Sequence, residues 1–264
     1  MNKKIILAGH RGDRKHAPEN TMPSFKQAVS LGVDMIETDI HMSRDGVMYI
    51  MHDDTVDRTT DGTGLGREKT WAEICELDAG SWFSDAFKGV KVPSLDEFLQ
   101  YVADTPDLLV NWELKDWECD CGREFAFKSA DGLLAGIRKY HLEDRSMLNS
   151  FSSSVLEYVW KQSKGSMSIH GQGVYPTSKM RDIALYAPKT YWDWACMYGP
   201  SGTPKRLPEK VSYDNCIAQG IIPCVCIPDT LENYRQAIEF GCRMFTSDDP
   251  EQGIKNLREL GERE

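Results

Sequence analysis

Three short polar groups interrupt the first 60 residues: His10-Arg11-Gly12, Glu37-Thr38-Asp39 and His52-Asp53. Each closes an apolar run, IILAGHRG, MIETDI or VMYIMHD. Histidine titrates near neutral pH, so His10 and His52 can hold one proton between them on opposite sides of a reacting centre. Glu37 and Asp39 are one residue apart, which on a strand puts both on one face and Thr38 on the other. Two carboxylates aimed into a packed interior are costly unless a cation lies between them. Glu113, in Val110-Asn111-Trp112-Glu113-Leu114-Lys115, repeats the arrangement with Lys115 on its own face. Three carboxylates and water form an oxygen-rich site, so magnesium or calcium is favoured over zinc. Arg11 offers a planar fork suited to phosphate and Lys115 a point charge. These parts suit phosphoryl transfer, in which a metal and cations stabilise charge on phosphate oxygens. The plainer alternative is that the acids only form salt bridges with Arg11 and Lys115.

The elements that must position these groups are readable too. Strand-like apolar runs occur at 5–10, 34–40, 109–114, 146–150, 167–171, 190–196, 221–227 and 243–247, and helical patterns follow most of them. Pro23 opens one helix and Gly32 stops it, and Ser94 with Glu97 has the spacing of a capping box. Eight strands alternating with helices predict a (β/α)8 barrel, with a doubly wound open sheet as the alternative. No glycine-rich dinucleotide or P-loop fingerprint follows any strand, which weakens that alternative. Val47–His52 breaks the rhythm. Only Ser43-Arg44-Asp45-Gly46 separates it from the second strand, too little for a parallel crossover, so the two runs should form an antiparallel hairpin. A turn centred on Arg44-Asp45 pairs residues whose numbers sum to about 89 and sets His52 opposite Glu37. Residues 53–93 form a long excursion with a short helix near Trp71–Leu77 and an aromatic patch at Trp82, Phe83 and Phe87, as expected of a cap. His170 and Gln172 end the fifth barrel strand and are candidates for a substrate pocket, with Trp192. His41 shares the face of Glu37 and Asp39 and is a candidate for a minor role; His16 and His141 show no partner pattern.

Composition bounds the class. The 264 residues suit one barrel domain, 1–264, with the 53–93 insertion; 41% are hydrophobic, enough for a full core. A net charge of −10 argues against nucleic acid as a partner. No apolar run approaches a membrane span, so no stable membrane insertion is expected. Met1–Ala8 is too short a run for an export signal, which predicts a cytoplasmic protein whose eight cysteines are plain thiols.

Taken together, His10-Arg11-Gly12, Pro18-Glu19-Asn20-Thr21, Phe25, Ala28, Gly32, Glu37-Thr38-Asp39, Asp45-Gly46, His52-Asp53 and Arg58-Thr59-Thr60 resemble the glycerophosphodiester phosphodiesterases, among the phosphatidylinositol-phospholipase-C-like phosphodiesterase barrels. Pro93–Leu99, Glu113-Leu114-Lys115, Ser150-Phe151 and Thr246–Pro250 extend the likeness over nearly the whole chain. The resemblance implies a TIM barrel that hydrolyses small glycerophosphodiesters to sn-glycerol 3-phosphate and an alcohol with one divalent metal, Mg2+ or Ca2+. It implies metal ligation by Glu37, Asp39 and Glu113, acid–base work by His10 and His52, and phosphate contacts from Arg11 and Lys115. It further implies attack by a glycerol hydroxyl to give a cyclic phosphate that water then opens. The sequence departs from the family at Val225-Cys226-Ile227-Pro228-Asp229, where a Trp-Thr-Val-Asn run is common, and at Thr246-Ser247-Asp248, one residue longer than Thr-Asp. Trp192 and Trp194 are candidates to replace the missing aromatic wall. The competing readings are a lysophospholipase D-type lipid phosphodiesterase, for which the Trp82 patch would be the membrane-facing rim, and a non-catalytic phosphoester-binding protein.

Overall fold

The computed structural model describes residues 5–172, 191–197, 207–228 and 230–264. Residues 1–4, residue 190 of the expected sixth strand and Asp229 lie outside them. The strands are β1 (Ile6–His10), β2 (Met35–Met42), β3 (Met48–Ile50), β4 (Leu109–Leu114), β5 (Ser146–Ser150), β6 (Ser168–Gln172), β7 (Trp194–Cys196), β8 (Ile222–Cys226) and β9 (Met244–Ser247). All pair in parallel except β3, and β1 hydrogen-bonds to both β9 and β2, which closes the ring into a (β/α)8 TIM barrel. The open-sheet alternative is thereby excluded.

Strand alternation divides the apolar residues between two layers. Ile6, Ala8, Met35, Met147, Trp194, Cys196, Cys224 and Met244 point inward and plug the barrel. Leu7, Ile36, Ile40, Val110, Trp112, Leu148, Ile169 and Val225 point outward into the larger core beneath the helices. Helix α1 (Met22–Leu31) ends at Gly32, whose φ of 93° is the left-handed region glycine favours. Helix α2 (Trp71–Ile74) carries a full capping box from Thr70 and Glu73. At α3 (Leu95–Asp104) Ser94 Oγ accepts a bond from the Glu97 amide. The ring is completed by α4 (Glu118–Cys121), α5 (Arg123–Lys139), α6 (Ser153–Ser163), α7 (Lys210–Ala218), α8 (Leu231–Glu239) and α9 (Pro250–Glu259).

The hairpin forms, but its register differs from expectation. Ile40 faces Ile50, His41 faces Tyr49 and Met42 faces Met48, so paired numbers sum to 90 and not 89. The cause is a three-residue loop, Arg44-Asp45-Gly46, with Gly46 at φ 88° and Ser43 bonding back to Val47. The ladder ends at Ile40 and Ile50, and the Met51 amide then bonds to the Asp39 carbonyl. His52 therefore lies just past the ladder instead of opposite Glu37. The excursion after it builds a small core of Tyr49, Met51, Val56, Ile74, Ala79 and Val92, while Trp82 stays exposed and stacks edge-on with Phe83.

Candidate active site

His10 is the last residue of β1 and is registered with Glu37 on β2. Its Nε2 lies 3.8 Å from Glu37 Oε2, and its Nδ1 lies 2.5 Å from Asp248 Oδ1. Asp248 follows β9, the strand that pairs with β1, so barrel closure alone brings the two together across 238 positions. The carboxylate accepts from Nδ1–H, which leaves the Nε2 lone pair facing the acids. Burial lowers the proton affinity of His10, and the bond to Asp248 opposes that shift. The next residues turn sharply. Arg11 sits at φ 57° and Gly12 at φ 85°, where a Cβ would strike the Ser24 backbone. This turn folds Arg11 back over β2.

His52 is held in the same way. Its Nδ1 lies 2.6 Å from Asp53 Oδ1, and Asp53 Oδ2 accepts from Arg58 Nε at 2.6 Å. Burial lowers the His52 pKa and the nearby Asp39 charge opposes that shift. Arg58 in turn donates to both oxygens of Glu19, at 2.8 and 3.1 Å. Glu19 also receives Arg11 at 2.7 Å and Arg14 at 3.0 Å. Burial alone would raise the Glu19 pKa, but the Arg58 bond and the three arginine charges bring it down to about 2. Arg14 reaches on to Asp248 at 3.4 Å, so one network touches the carboxylates behind both histidines.

Glu37, Asp39 and Glu113 lie on the inward rows of β2 and β4, just above the apolar plug, and Asp39 is registered with Glu113. One oxygen from each falls within 4.8 Å of the others. At that distance two like charges repel by roughly 3 kcal/mol at an effective dielectric of 20. Burial and the charges of Asp39 and Glu113 push the Glu37 pKa well up, and burial raises that of Glu113. Asp39 moves the other way: burial opposes ionisation, but Lys115 and Arg11 keep it charged. Lys115 Nζ contacts Glu113 and lies 3.1 Å from Asp39 Oδ1. Arg11 Nε lies 3.2 Å from Asp39 Oδ2, which takes its hydrogen bond from Asn20 at 2.7 Å. The salt-bridge reading of these acids is therefore partly realised. It leaves a remainder: Asp39 Oδ1 is buried without an aligned hydrogen bond, and two cations face three carboxylates while Arg11 is shared with Glu19. A hard divalent cation fits that remainder.

Several expected residues fall elsewhere. Trp192 precedes β7, packs flat against Gly171 and belongs to the outer core, so it does not line a pocket at the strand ends. Trp194 points into the barrel's apolar plug, so neither tryptophan supplies a wall. His170 is fully buried, between Asn111 and Cys224. Gln172 is buried too and donates to Asn149 at 2.6 Å. His41 is locked by Asp116 at 2.7 Å. At the departure on β8, Ile227 turns the chain away at φ 61°. Together with Pro228, Asp248 and Asn256 it lines a cavity of about 220 Å3. Asp248, Asp53 and Glu19 carry no role in the sequence reading. Their signal there was only that each sits inside a stretch of the resembling motif.

A closed parallel barrel with two carboxylate-anchored histidines around an acid cluster at its carboxyl-terminal mouth defines a (β/α)8-barrel hydrolase. Residues 10–198 match the model of the glycerophosphoryl diester phosphodiesterase family. A glycerophosphodiester phosphodiesterase of Caldanaerobacter subterraneus is 39% identical over 98% of this chain and 100% of its own. One of Bacillus subtilis is 31% identical over 71% of this chain and 66% of its own. The crystal structure of a glycerophosphodiester phosphodiesterase from Agrobacterium tumefaciens aligns with a TM-score of 0.70 at 26% identity, covering 94% of this chain and 97% of that one. An Oleispira antarctica phosphodiesterase, solved with the product sn-glycerol-3-phosphate, aligns with a TM-score of 0.79 at 22% identity over 96% of each chain and so shares the fold. The chain belongs to the glycerophosphoryl diester phosphodiesterase family and is a phosphoric diester hydrolase.

Proposed function

We propose that residues 1–264 act as one catalytic domain, capped by 53–93, that hydrolyses soluble glycerophosphodiesters to sn-glycerol 3-phosphate and a free alcohol. The observation that carries this reading is the pair of Nδ1-anchored imidazoles bordering the acid cluster, His10 on the Glu37 side and His52 within reach of the Asp39 charge. The product bound by the Oleispira relative supports the substrate class. Glu37, Asp39 and Glu113 would hold one divalent ion, Mg2+ or Ca2+, which when bound supplies positive charge against the phosphate oxygens. Arg11 and Lys115, already fixed by Glu19, Asp39 and Glu113, take further phosphate oxygens.

In the first step one histidine accepts the proton of a glycerol hydroxyl as that oxygen bonds to phosphorus. The other gives its proton to the leaving alcohol oxygen as the old P–O bond breaks. The product is a cyclic phosphate, with one histidine now protonated and the other neutral. In the second step the roles reverse. The neutral imidazole takes a proton from water as it attacks phosphorus, and the charged one protonates the ring oxygen that departs. Asp248 and Asp53 hold each ring in the tautomer this exchange needs.

The test is hydrolysis of glycerophosphocholine and glycerophosphoethanolamine with Mg2+ or Ca2+, comparing wild type with His52→Ala. Metal-dependent release of glycerol 3-phosphate by the wild type, and its loss in the variant, are expected. A wild type that releases none with either metal overturns the proposal.

A further inference from the structure

One side-chain cluster in the barrel takes no part in the chemistry above. His170 on β6, Cys196 on β7 and Cys224 on β8 all point inward from adjacent strands, and all three are buried. Cys196 and Cys224 are registered partners. One donor atom from each of the three lies within 4.8 Å of the others, and His170 Nε2 is 3.1 Å from Cys224 Sγ. Cys226 lies two residues beyond Cys224 on the same inward row and hydrogen-bonds to the Cys196 thiol.

We propose that this cluster is a second metal site, for a soft d10 ion such as zinc, held by His170 Nε2 and the sulfurs of Cys196 and Cys224.

Donor type sets the ion. Thiolate and imidazole favour zinc over the hard ions that suit the carboxylates above. Tetrahedral ligands about 2.3 Å from zinc are about 3.8 Å from one another, so donors up to 4.8 Å apart would close by at most about an ångström while the His170–Cys224 pair, at 3.1 Å, opens slightly. The imidazole is already aimed. Asn111 lies 3.0 Å from His170 Nδ1, and its Oδ1 is buried without a hydrogen bond. An asparagine amide can present either end. With Oδ1 turned to the ring it accepts from Nδ1–H and leaves the Nε2 lone pair toward the sulfurs, the second-shell arrangement usual for ligating histidine.

Charge fits as well. Zinc with two thiolates and a neutral imidazole is electrically neutral, as a buried site requires. Loading would release two protons, one from each of Cys196 and Cys224. Without an ion, burial holds the Cys224 thiol up to about 11 and the His170 imidazole down to about 3. A single buried cysteine is ordinary packing. Two thiols on adjacent strands converging with an imidazole on one buried point are a ligand set and not a lone packed thiol.

The test uses cobalt as a spectroscopic stand-in for zinc on the full chain. Protein stripped of metal in denaturant is refolded under reducing, oxygen-free conditions with Co2+. The expected result is a thiolate-to-cobalt charge-transfer band that saturates at one equivalent. It persists in Glu37→Gln and in the Cys119→Ser/Cys121→Ser double variant, and disappears in Cys224→Ala and His170→Gln. Folded wild type that gives no sulfur-to-cobalt band, or a band that Cys224→Ala leaves unchanged, overturns the proposal. If Cys224→Ala does not fold by circular dichroism, the wild-type spectrum and His170→Gln decide. The readout is independent of turnover, so failure of the phosphodiesterase reading would leave this result standing.

Discussion

His10 Nδ1 lies 2.5 Å from Asp248 Oδ1, joining the end of the first barrel strand to the segment after the last. The bond fixes the ring and raises its proton affinity against the burial that lowers it. Asp248→Asn should cut kcat by about 10–100-fold with little change in KM, as for other partners that orient a working histidine. It should also move the His10 limb of the pH–rate profile to lower pH, because the group that opposes the burial shift is gone. Steady-state rates between pH 4 and 9 check both. A fall in kcat with an unmoved limb would reduce Asp248 to a structural role.

His10→Ala and His52→Ala should each lower kcat by about 10²–10⁴-fold. If the two act in one proton exchange, the double variant should be scarcely slower than either single one. Full additivity would argue against a shared proton.

Divalent ion should stabilise the fold, because it offsets the burial and the repulsion from Asp39 and Glu113 that drive Glu37 toward protonation. Mg2+ or Ca2+ at about 100 times its Kd should add roughly 2.7 kcal/mol. Thermal melts with and without the ion measure this, and Glu37→Gln should shrink the gain. Chelation should abolish turnover and re-addition restore it.

The Glu19 carboxylate, ringed by Arg11, Arg14 and Arg58, has its pKa lowered from 4.5 to about 2. A depressed carboxylate contributes stability that is present above its unfolded pKa and lost as pH falls through the folded one. The shift corresponds to about 3 kcal/mol. Wild type should therefore exceed Glu19→Gln in stability at pH 7, and the gap should narrow between about pH 4.5 and pH 2. Urea titrations at a series of pH values would show it.

Trp192 offers a check on placement. Lying in the outer core, Trp192→Ala should destabilise by about 3–5 kcal/mol. Trp192→Phe should leave KM unchanged for any glycerophosphodiester. A raised KM would return the residue to the substrate pocket.

Much of this site is legible in the sequence because strand alternation is a strict rule. Glu37 with Asp39, and Glu113 with Lys115, share inward faces as their spacing requires, and β4 and β5 fall at the expected residues. The hairpin was legible in kind and off by one in register, because the left-handed Gly46 adds a residue to the turn. Trp192 was misplaced because β7 is short and starts after it. Asp248 and Glu19 were invisible as partners for another reason. Their contacts depend on ring closure and on loops meeting above the strands, and no local pattern encodes a contact across 238 positions.

Closure through β1 and β9 also sets an order of events during synthesis. The ribosome delivers His10, both β2 carboxylates and His52 long before Asp248. Until β9 emerges and seals against β1, the His10 ring has no anchor, and the barrel that holds the acids in register has a gap. A chain that stops before β9 thus carries both histidines and both β2 carboxylates but lacks the carboxylate that anchors the His10 ring.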